Sequence, residues 1–123
     1  MAPIPLVAVV DDDESIRESL RGLIRSIGLS VQTFASAEDF SSSDQLEETA
    51  CLILDVRMPG MSGLDLQREL AASDRDIPII FITAHGSDEG TRARALRDGA
   101  VAYLIKPFSE DALLEAVNAA LQS

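Results

Sequence analysis

Four short apolar runs in this chain each end at a polar residue that could take part in chemistry. They are residues 6–10 before Asp11 and Asp12, 50–54 before Asp55, 78–82 before Thr83, and 101–105 before Lys106 and Pro107. Apolar runs without alternation are typical of strands covered on both faces, as in parallel sheets. Because parallel strands end at one edge of a sheet, we expect three carboxylates, a hydroxyl and an ammonium group to converge where open α/β sheets bind ligands.

The segments between these runs have the spacing of helices. Apolar residues recur at steps of three and four in residues 16–27, and Gly28 follows as a stop signal. Residues 15–18 have the form of a capping box, although Asp13 could cap the helix one turn earlier. Further helices are predicted for residues 36–40, 64–70, 87–98 and 109–121, and the alternating residues 29–34 predict a half-exposed edge strand.

This order of elements gives five β-α units without an internal linker or a low-complexity tract. Short connections and right-handed crossovers then favour a doubly wound α/β fold. We expect one domain over residues 1–123, built as a three-layer sandwich around a five-stranded parallel sheet with the strand order 2-1-3-4-5.

Composition restricts the partners and the compartment. Ten Lys and Arg against 21 Asp and Glu give a net charge of −11, a field that repels DNA phosphates. No apolar stretch approaches the roughly 20 residues that span a bilayer, and the first residues lack the pattern of a signal peptide. The single cysteine, Cys51, lies inside an apolar run and is expected to be a reduced core thiol. A cytoplasmic protein without membrane contact is therefore predicted.

The acidic strand ends favour a metal site. Asp11, Asp12 and Asp55 would hold like charges within a few ångströms, which raises their pKa values unless a cation lies between them. Oxygen ligands in a half-open site favour Mg²⁺, with Mn²⁺ as an alternative. The competing interpretation is that the first aspartates only cap a helix, as we expect for Asp13. Matching polar residues after all four runs favour the site.

The strand ends also indicate the chemistry. The sequence has no Cys/His cluster with zinc spacing and no Ser or Cys nucleophile beside a plausible histidine base. A carboxylate is the remaining nucleophile, and phosphoryl transfer onto Asp is an established covalent reaction. Such a transfer needs a metal and a cation to offset the charge of the transferred group. Lys106 supplies the cation, and Thr83 supplies a hydroxyl donor.

Four sequence blocks resemble the receiver domain of response regulators, the CheY-like domain of two-component signalling. They are VDDD at residues 10–13, LDVRMPGMSG at 54–63, ITA at 82–84 and GAVAYLIKPF at 99–108. The resemblance covers almost the whole chain, and the blocks arrive in the family's order and spacing. Residues 57–59 and 83–86 are most similar to the FixJ type. The resemblance implies a flavodoxin-like fold.

The resemblance also implies a role for each site residue. Asp55 would accept a phosphoryl group from a phosphohistidine of a sensor histidine kinase or a phosphotransfer protein. Asp12 and the backbone carbonyl of Arg57 would bind Mg²⁺ directly, and Asp11 would bind it through water. Lys106 would pair with the phosphoryl oxygens.

The remaining implied roles concern the switch. Thr83 would follow the phosphoryl group and Tyr103 would rotate inward behind it, although Tyr103 could also be simple strand core. The bond between Lys106 and Pro107 would be cis. Phosphorylation would alter the face formed by the fourth helix, fifth strand and fifth helix. It would lead to homodimer formation and to a transcriptional output. DNA would be bound only through an output domain that lies outside this chain.

Two positions depart from the commonest receiver pattern. Arg57 stands where chemotaxis-type members often have Asn, and His85 stands where acidic or polar residues are common. In the family these positions border the attacking water and tune loss of the phosphoryl group. Arg57 could also fold back onto the carboxylates, and His85 could be a solvated loop residue.

Two other functions compete with the switch. A magnesium-dependent phosphatase of the haloacid-dehalogenase type also uses an Asp nucleophile, but it needs a second Asp where this chain has Arg57. A receiver-like domain that only binds a partner would not need the complete set of strand-end residues. We therefore predict a phosphoacceptor that takes part in its own phosphorylation and dephosphorylation, and not an enzyme in the ordinary sense.

Overall fold

The computed structural model describes residues 4–84 and 89–122. Within these residues five strands form one parallel sheet in the order β2-β1-β3-β4-β5, as predicted. The strands are β1 (Leu6–Val10), β2 (Ser30–Phe34), β3 (Thr49–Asp55), β4 (Ile79–Thr83) and β5 (Ala102–Ile105). The helices are α1 (Glu14–Ser26), α2 (Ala37–Ser41), α3 (Gly63–Ala72), α4 (Glu89–Arg97) and α5 (Glu110–Gln122), with a short 3-10 helix at Leu46–Glu48.

Helices cover both faces of the sheet, which gives the predicted three-layer sandwich. On one face α1 and α5 pack against one set of alternate strand residues, which includes Val7, Ile53 and Ile80. On the other face α2, α3 and α4 pack against the opposite set, which includes Leu54 and Phe81. The three central strands are thereby buried on both sides, as their unbroken apolar sequences predict.

The fifth strand differs from the prediction that its run is covered on both faces. It lies at the edge of the sheet, and its residues are only partly buried. Ile105 leaves 45% of its surface exposed. An unbroken apolar run does not distinguish a central strand from an edge strand in a parallel sheet. Helices pack against edge strands as well as central strands, so both kinds of strand have apolar sequences.

The first helix begins with Asp13 as its N-cap, the earlier of the two predicted starts. The Asp13 carboxylate accepts a hydrogen bond of 2.8 Å from the backbone N–H of Ser15. The predicted box at residues 15–18 therefore lies within the first turns of the helix. A true capping box occurs instead at α3, where the side chains of Ser62 and Asp65 bond each other's backbone N–H groups.

The fourth helix is the most weakly packed of the five helices. Its buried residue is Ala95, and its last turn is tied to α3 by a buried side chain. Gln67 donates from Nε2 to the carbonyls of Ala95 at 3.2 Å and Asp98 at 3.4 Å. Few apolar contacts make an element free to shift, while the amide bonds hold its C-terminal end.

Cys51 is buried in the core and is a free thiol, as predicted. Burial raises its pKa to about 12, so the thiol stays protonated and unreactive near neutral pH. None of the helices in the described ranges is long and apolar enough to cross a membrane.

Gly63 allows the third helix to start directly beneath the end of β3. A Cβ atom at this position would lie 2.3 Å from the carbonyl oxygen of Asp55 and 3.1 Å from Phe81 Cε1. The nearest atom belongs to the backbone, so a side chain here cannot be accommodated by a rotamer change.

Gly63→Ala should therefore lower the free energy of unfolding by about 1–3 kcal/mol, the range for overpacking a tight core. Gly22, inside α1, is the matched control, because a Cβ atom there would meet nothing within 4 Å. Gly22→Ala should raise the free energy of unfolding by about 0.5–1 kcal/mol through helix propensity. Urea denaturation measures both, and a Gly63→Ala variant as stable as wild type would contradict the close approach.

Candidate functional site

Strand register brings the polar strand ends to one edge of the sheet. Val10 pairs with Leu54, so Asp11 follows on β1 where Asp55 ends β3. Asp55 in turn pairs with Ile82, and Thr83 pairs with Ile105 at the next step. The residues after all four predicted runs therefore meet at the carboxyl edge of the sheet, where open α/β folds bind ligands.

Three carboxyl groups form a cluster at this edge. One oxygen from each of Asp11, Asp12 and Asp55 lies within 4.8 Å of the others. Asp11 is fully buried and Asp55 is 6% exposed, while Asp12 faces solvent. The cluster is thus closed towards the core and open on the side of Asp12, so an ion or a phosphoryl group can approach from solvent.

Lys106 is the cation of the site. Its Nζ lies 2.9 Å from Asp11 Oδ2 and 3.7 Å from Asp55 Oδ2, and 17% of its side chain is exposed. The ammonium group therefore bridges the ends of β1 and β3 from the loop that follows β5. One ammonium faces three carboxyl groups, so the cluster keeps an excess of negative charge.

Two further contacts fix the position of Asp11. Its Oδ1 accepts from the backbone N–H of Asp13 at 2.9 Å, and its carbonyl oxygen accepts from Arg17 Nη1 at 2.8 Å. Sequence reasoning placed Arg17 in the first helix and assigned it no role at the site. The sequence signal for this contact is an arginine six residues after Asp11. This signal becomes specific only once the start of the helix is known.

The environment of Asp55 disfavours its charged form. Burial is the largest cause, followed by repulsion from Asp11, and together they raise the pKa of Asp55 to about 6. Lys106 and a hydrogen bond from the backbone of Arg57 act in the opposite direction. Because the folded pKa exceeds the ordinary value, this group stabilises the fold below pH 3.8, and that contribution is lost as the pH rises through about 6.

The two predicted switch residues lie on neighbouring strands. Thr83 ends β4 and is 1% exposed. Tyr103 on β5 is partly buried, and its ring centroid lies 6.3 Å from that of Phe81 on the side of the sheet covered by α4. Tyr103 therefore belongs partly to the core in this structure. The bond between Lys106 and Pro107 is cis.

The two predicted modulators differ in what the structure says of them. Arg57 is exposed at the start of the loop between β3 and α3, and its backbone contacts the Asp55 carboxyl group. His85 lies outside the described residues. Its predicted role stays a prediction.

The donor set suits a hard divalent cation. Every atom that the cluster offers is a carboxylate oxygen, and the site is closed on one side only. Mg²⁺ prefers such oxygens and keeps several water molecules, so a half-open site with few protein ligands fits it. The excess negative charge supplies the driving force for binding, because a cation relieves the repulsion among the carboxylates.

The comparison with known families agrees with this geometry. A family described as "Response regulator receiver domain" matches residues 7–118. The chain belongs to the receiver domain family of response regulators. Receiver domains are parts of two-component systems, and they bind Mg²⁺ at an acidic pocket such as the one formed by the aspartate cluster.

Similar proteins support the same assignment. Nodulation protein W of Bradyrhizobium diazoefficiens is 52% identical over 117 residues, which cover 95% of this chain and 51% of that protein. Transcriptional regulatory protein FixJ of Azorhizobium caulinodans is 42% identical over 115 residues, 94% of this chain and 54% of that protein. The receiver chain therefore spans about half the length of these curated relatives.

A solved structure gives the same result for the fold. The response regulator StyR superposes with a TM-score of 0.90 at 52% sequence identity, over 98% of this chain and 60% of that one. The predicted family and its FixJ-type similarity are confirmed by these comparisons.

The crowded carboxylates predict that Mg²⁺ stabilises the receiver domain. At a concentration tenfold above its Kd, an ion that binds only the folded state adds about 1.4 kcal/mol, or roughly 5 °C in Tm for a domain of this size. Asp12→Ala should raise Tm in the absence of Mg²⁺, since it removes one of the like charges, and should abolish the Mg²⁺ effect. Differential scanning calorimetry measures both.

Asp44→Ala is the control for the loss of one acidic group. Asp44 is exposed in the loop that precedes β3, at the opposite edge of the sheet from Asp55. This variant should keep the full Mg²⁺ effect. A wild-type domain whose Tm is indifferent to Mg²⁺ would count against the metal site.

Proposed function

We propose that this receiver domain is a switch controlled by phosphorylation of Asp55. The phosphoryl donor is a phosphohistidine of a sensor histidine kinase or of a phosphotransfer protein. The observation that carries the proposal is the position of Asp55, whose carboxylate shares a cluster with two other aspartates and lies 3.7 Å from the ammonium of Lys106. A nucleophile, metal ligands and a cation are thus collected around one acceptor atom.

In the transfer a carboxylate oxygen of Asp55 forms a bond to phosphorus as the bond from phosphorus to the donor imidazole nitrogen breaks. Lys106 would pair with the phosphoryl oxygens and offset their charge. Asp12, Asp55 and the backbone carbonyl of Arg57 would hold Mg²⁺ or Mn²⁺ directly, with Asp11 acting through water. When bound, the divalent cation neutralises charge between the acceptor and the incoming phosphoryl group.

A protein donor is supported by the surface next to Lys106. An apolar groove of about 410 Å³ lies between α1 and the loop after β5, and Lys106, Pro107 and Phe108 form one of its walls. A helix that carries the phosphohistidine could lie on this groove while its imidazole reaches Asp55. Small phosphodonors need no such contact.

The signal would leave the site through Thr83 and Tyr103. A phosphoryl group on Asp55 adds about −1.5 to −2 charges and three acceptor oxygens. The Thr83 hydroxyl is a suitable donor to one of them, and a shift of Thr83 frees space into which Tyr103 can turn. Tyr103 packs in the same cluster as Ala95 of α4, the helix with the weakest packing, and Thr83 ends the strand that comes before α4 in the chain. The responsive surface is therefore the face of α4, β5 and α5.

The output is proposed to be transcriptional. FixJ of Azorhizobium caulinodans, which resembles this chain over about half of its own length, is named a transcriptional regulatory protein. The net charge of −11 makes the receiver domain itself a poor ligand for DNA. DNA contact would come from an output domain.

A metal-dependent phosphatase is disfavoured by one position. That chemistry needs a carboxylic acid two residues after the nucleophile to protonate the leaving group. Arg57 stands there and cannot donate a proton near neutral pH.

The first test of the proposal is the site of phosphorylation. Acetyl phosphate with Mg²⁺ should add one phosphoryl group to the wild-type domain and none to Asp55→Ala, as measured by intact mass spectrometry. Asp44→Ala serves as the control that keeps the acceptor. Persistent phosphorylation of Asp55→Ala would contradict the assignment of the acceptor.

The second test concerns association. We expect phosphorylation to shift the domain from monomer to homodimer through the face of α4, β5 and α5, which includes the partly exposed Ile105. Analytical ultracentrifugation with and without beryllofluoride measures the mass, and Asp55→Ala should stay monomeric. A monomeric mass together with unchanged NMR resonances on that face would show that the output surface lies elsewhere.

A further inference from the structure

The loop between β3 and α3 connects the acceptor Asp55 to the third helix. It carries Arg57, whose backbone touches the Asp55 carboxyl group. Its two ends are held close together, since Gly63 N–H donates to the carbonyl of Val56 at 2.9 Å and Ser62 caps α3. The turn between these ends is held by a further contact from outside the loop.

That contact comes from the second helix. Glu38 Oε2 accepts a hydrogen bond of 2.9 Å from the backbone N–H of Met61. Glu38 lies in the first turn of α2, which begins at the N-cap Ser36. The bond joins residues that are 23 positions apart, and it ties the loop after β3 to a helix that packs on the same face of the sheet.

Gly60 leaves the space that the Glu38 carboxylate occupies in this contact. Its φ of +78° is in the region that favours glycine, and a Cβ atom there would lie 2.4 Å from Glu38 Oε2. The carboxylate therefore occupies the space that a side chain at residue 60 would fill. A side chain at residue 60 would displace the flexible end of Glu38 and so break its bond to Met61.

We propose that Glu38 is a positioning residue for the metal and phosphoacceptor site. By holding Met61 and the Gly60 turn, its carboxylate fixes the course of the loop and thus the direction of the Arg57 backbone carbonyl. This inference rests on the proposed function, in which that carbonyl is a ligand of Mg²⁺. Glu38 does not touch the reacting atoms and acts through the loop.

The chemistry of the bond supports a lasting anchor. The Met61 N–H lowers the pKa of Glu38 below its ordinary value, because the hydrogen bond favours the charged carboxylate, which is the form present in the neutral range. Its carboxylate is therefore a full acceptor under the conditions in which Mg²⁺ binding is measured. Glu38 is exposed, so its substitution removes the contact without opening the core.

The test compares Glu38→Ala with Glu38→Gln and Asp39→Ala. Asp39 is an exposed acid in the same helical turn, so Asp39→Ala removes the same charge and leaves the contact to Met61 intact. Glu38→Gln removes the charge but keeps an oxygen that accepts from Met61. NMR on the labelled receiver domain measures the exchange rate of the Met61 amide and, by titration, the Kd of Mg²⁺.

We expect Glu38→Ala to speed exchange of the Met61 amide and to weaken Mg²⁺ binding by about threefold to fivefold, the size expected for an exposed, charge-assisted bond. Glu38→Gln should recover most of both effects, and Asp39→Ala should match wild type. Phosphorylation by acetyl phosphate at saturating Mg²⁺ should be nearly normal in every variant, because the ion then compensates for the weaker site.

A double-mutant cycle separates the contact from general effects on the loop. Gly60→Ala acts in wild type through its φ and by displacing the Glu38 carboxylate from Met61, and only the φ effect remains in the Glu38→Ala background. The loss of Mg²⁺ affinity caused by Gly60→Ala should therefore be smaller in that background. Independent, additive losses would overturn the proposal.

Other outcomes are equally decisive. Glu38→Ala with the Mg²⁺ affinity of Asp39→Ala would overturn the positioning role, even if the Met61 amide exchanged faster. A Met61 amide unchanged in Glu38→Ala would overturn the contact itself. A wild-type domain that neither binds Mg²⁺ nor accepts a phosphoryl group would instead refute the proposed function, and the role of Glu38 with it.

Discussion

The constraint on which the site depends is the crowding of like charges at one edge of a parallel sheet. The sheet holds Asp11 and Asp55 at adjacent strand ends, and burial together with repulsion from Asp11 disfavours the charged form of Asp55. The ion pair between Lys106 and Asp11 relieves only part of this repulsion, and such buried pairs contribute little net stability once desolvation is included. The fold therefore maintains an electrostatically unfavourable arrangement. In the proposed function, a divalent cation would reduce the repulsion and a phosphoryl group would add charge at Asp55, so the edge would respond to both.

The rest of the domain divides into rigid and movable parts around that edge. The central strands β1, β3 and β4 are buried on both faces, so the carboxylates cannot separate to relieve their repulsion. The fourth helix lacks such packing, and Gln67 holds its C-terminal end on α3. In the proposed switch, a change at Thr83 would alter the position of α4 without disturbing the sheet. The rigid sheet keeps the carboxylates close together. The weakly packed α4 is the element that could move when a ligand relieves their repulsion.

Sequence reasoning predicts the backbone of this arrangement well and its supporting contacts poorly. Apolar runs that end in polar residues predict the strands, their order and the meeting of Asp11, Asp55 and Lys106, because one edge of a parallel sheet collects every strand end. The bonds from Arg17 to the Asp11 carbonyl and from Met61 to Glu38 leave no periodic signal. They join residues through space in directions that depend on loop geometry. The partial exposure of β5 leaves no sequence signal for a related reason, since edge and central strands share one apolar pattern.

Contacts made through space also explain why the loop after β3 needs glycine at two positions. Gly63 brings α3 against the carbonyl of Asp55, and Gly60 leaves room for the Glu38 carboxylate. Each glycine removes a side chain where a backbone or carboxylate oxygen must approach closely, so the path of the loop is fixed on both sides of its turn. Asp55, the proposed phosphoacceptor, precedes this loop, and Arg57 lies within it. The geometry of the site therefore depends on residues that contact neither a metal nor a phosphoryl group.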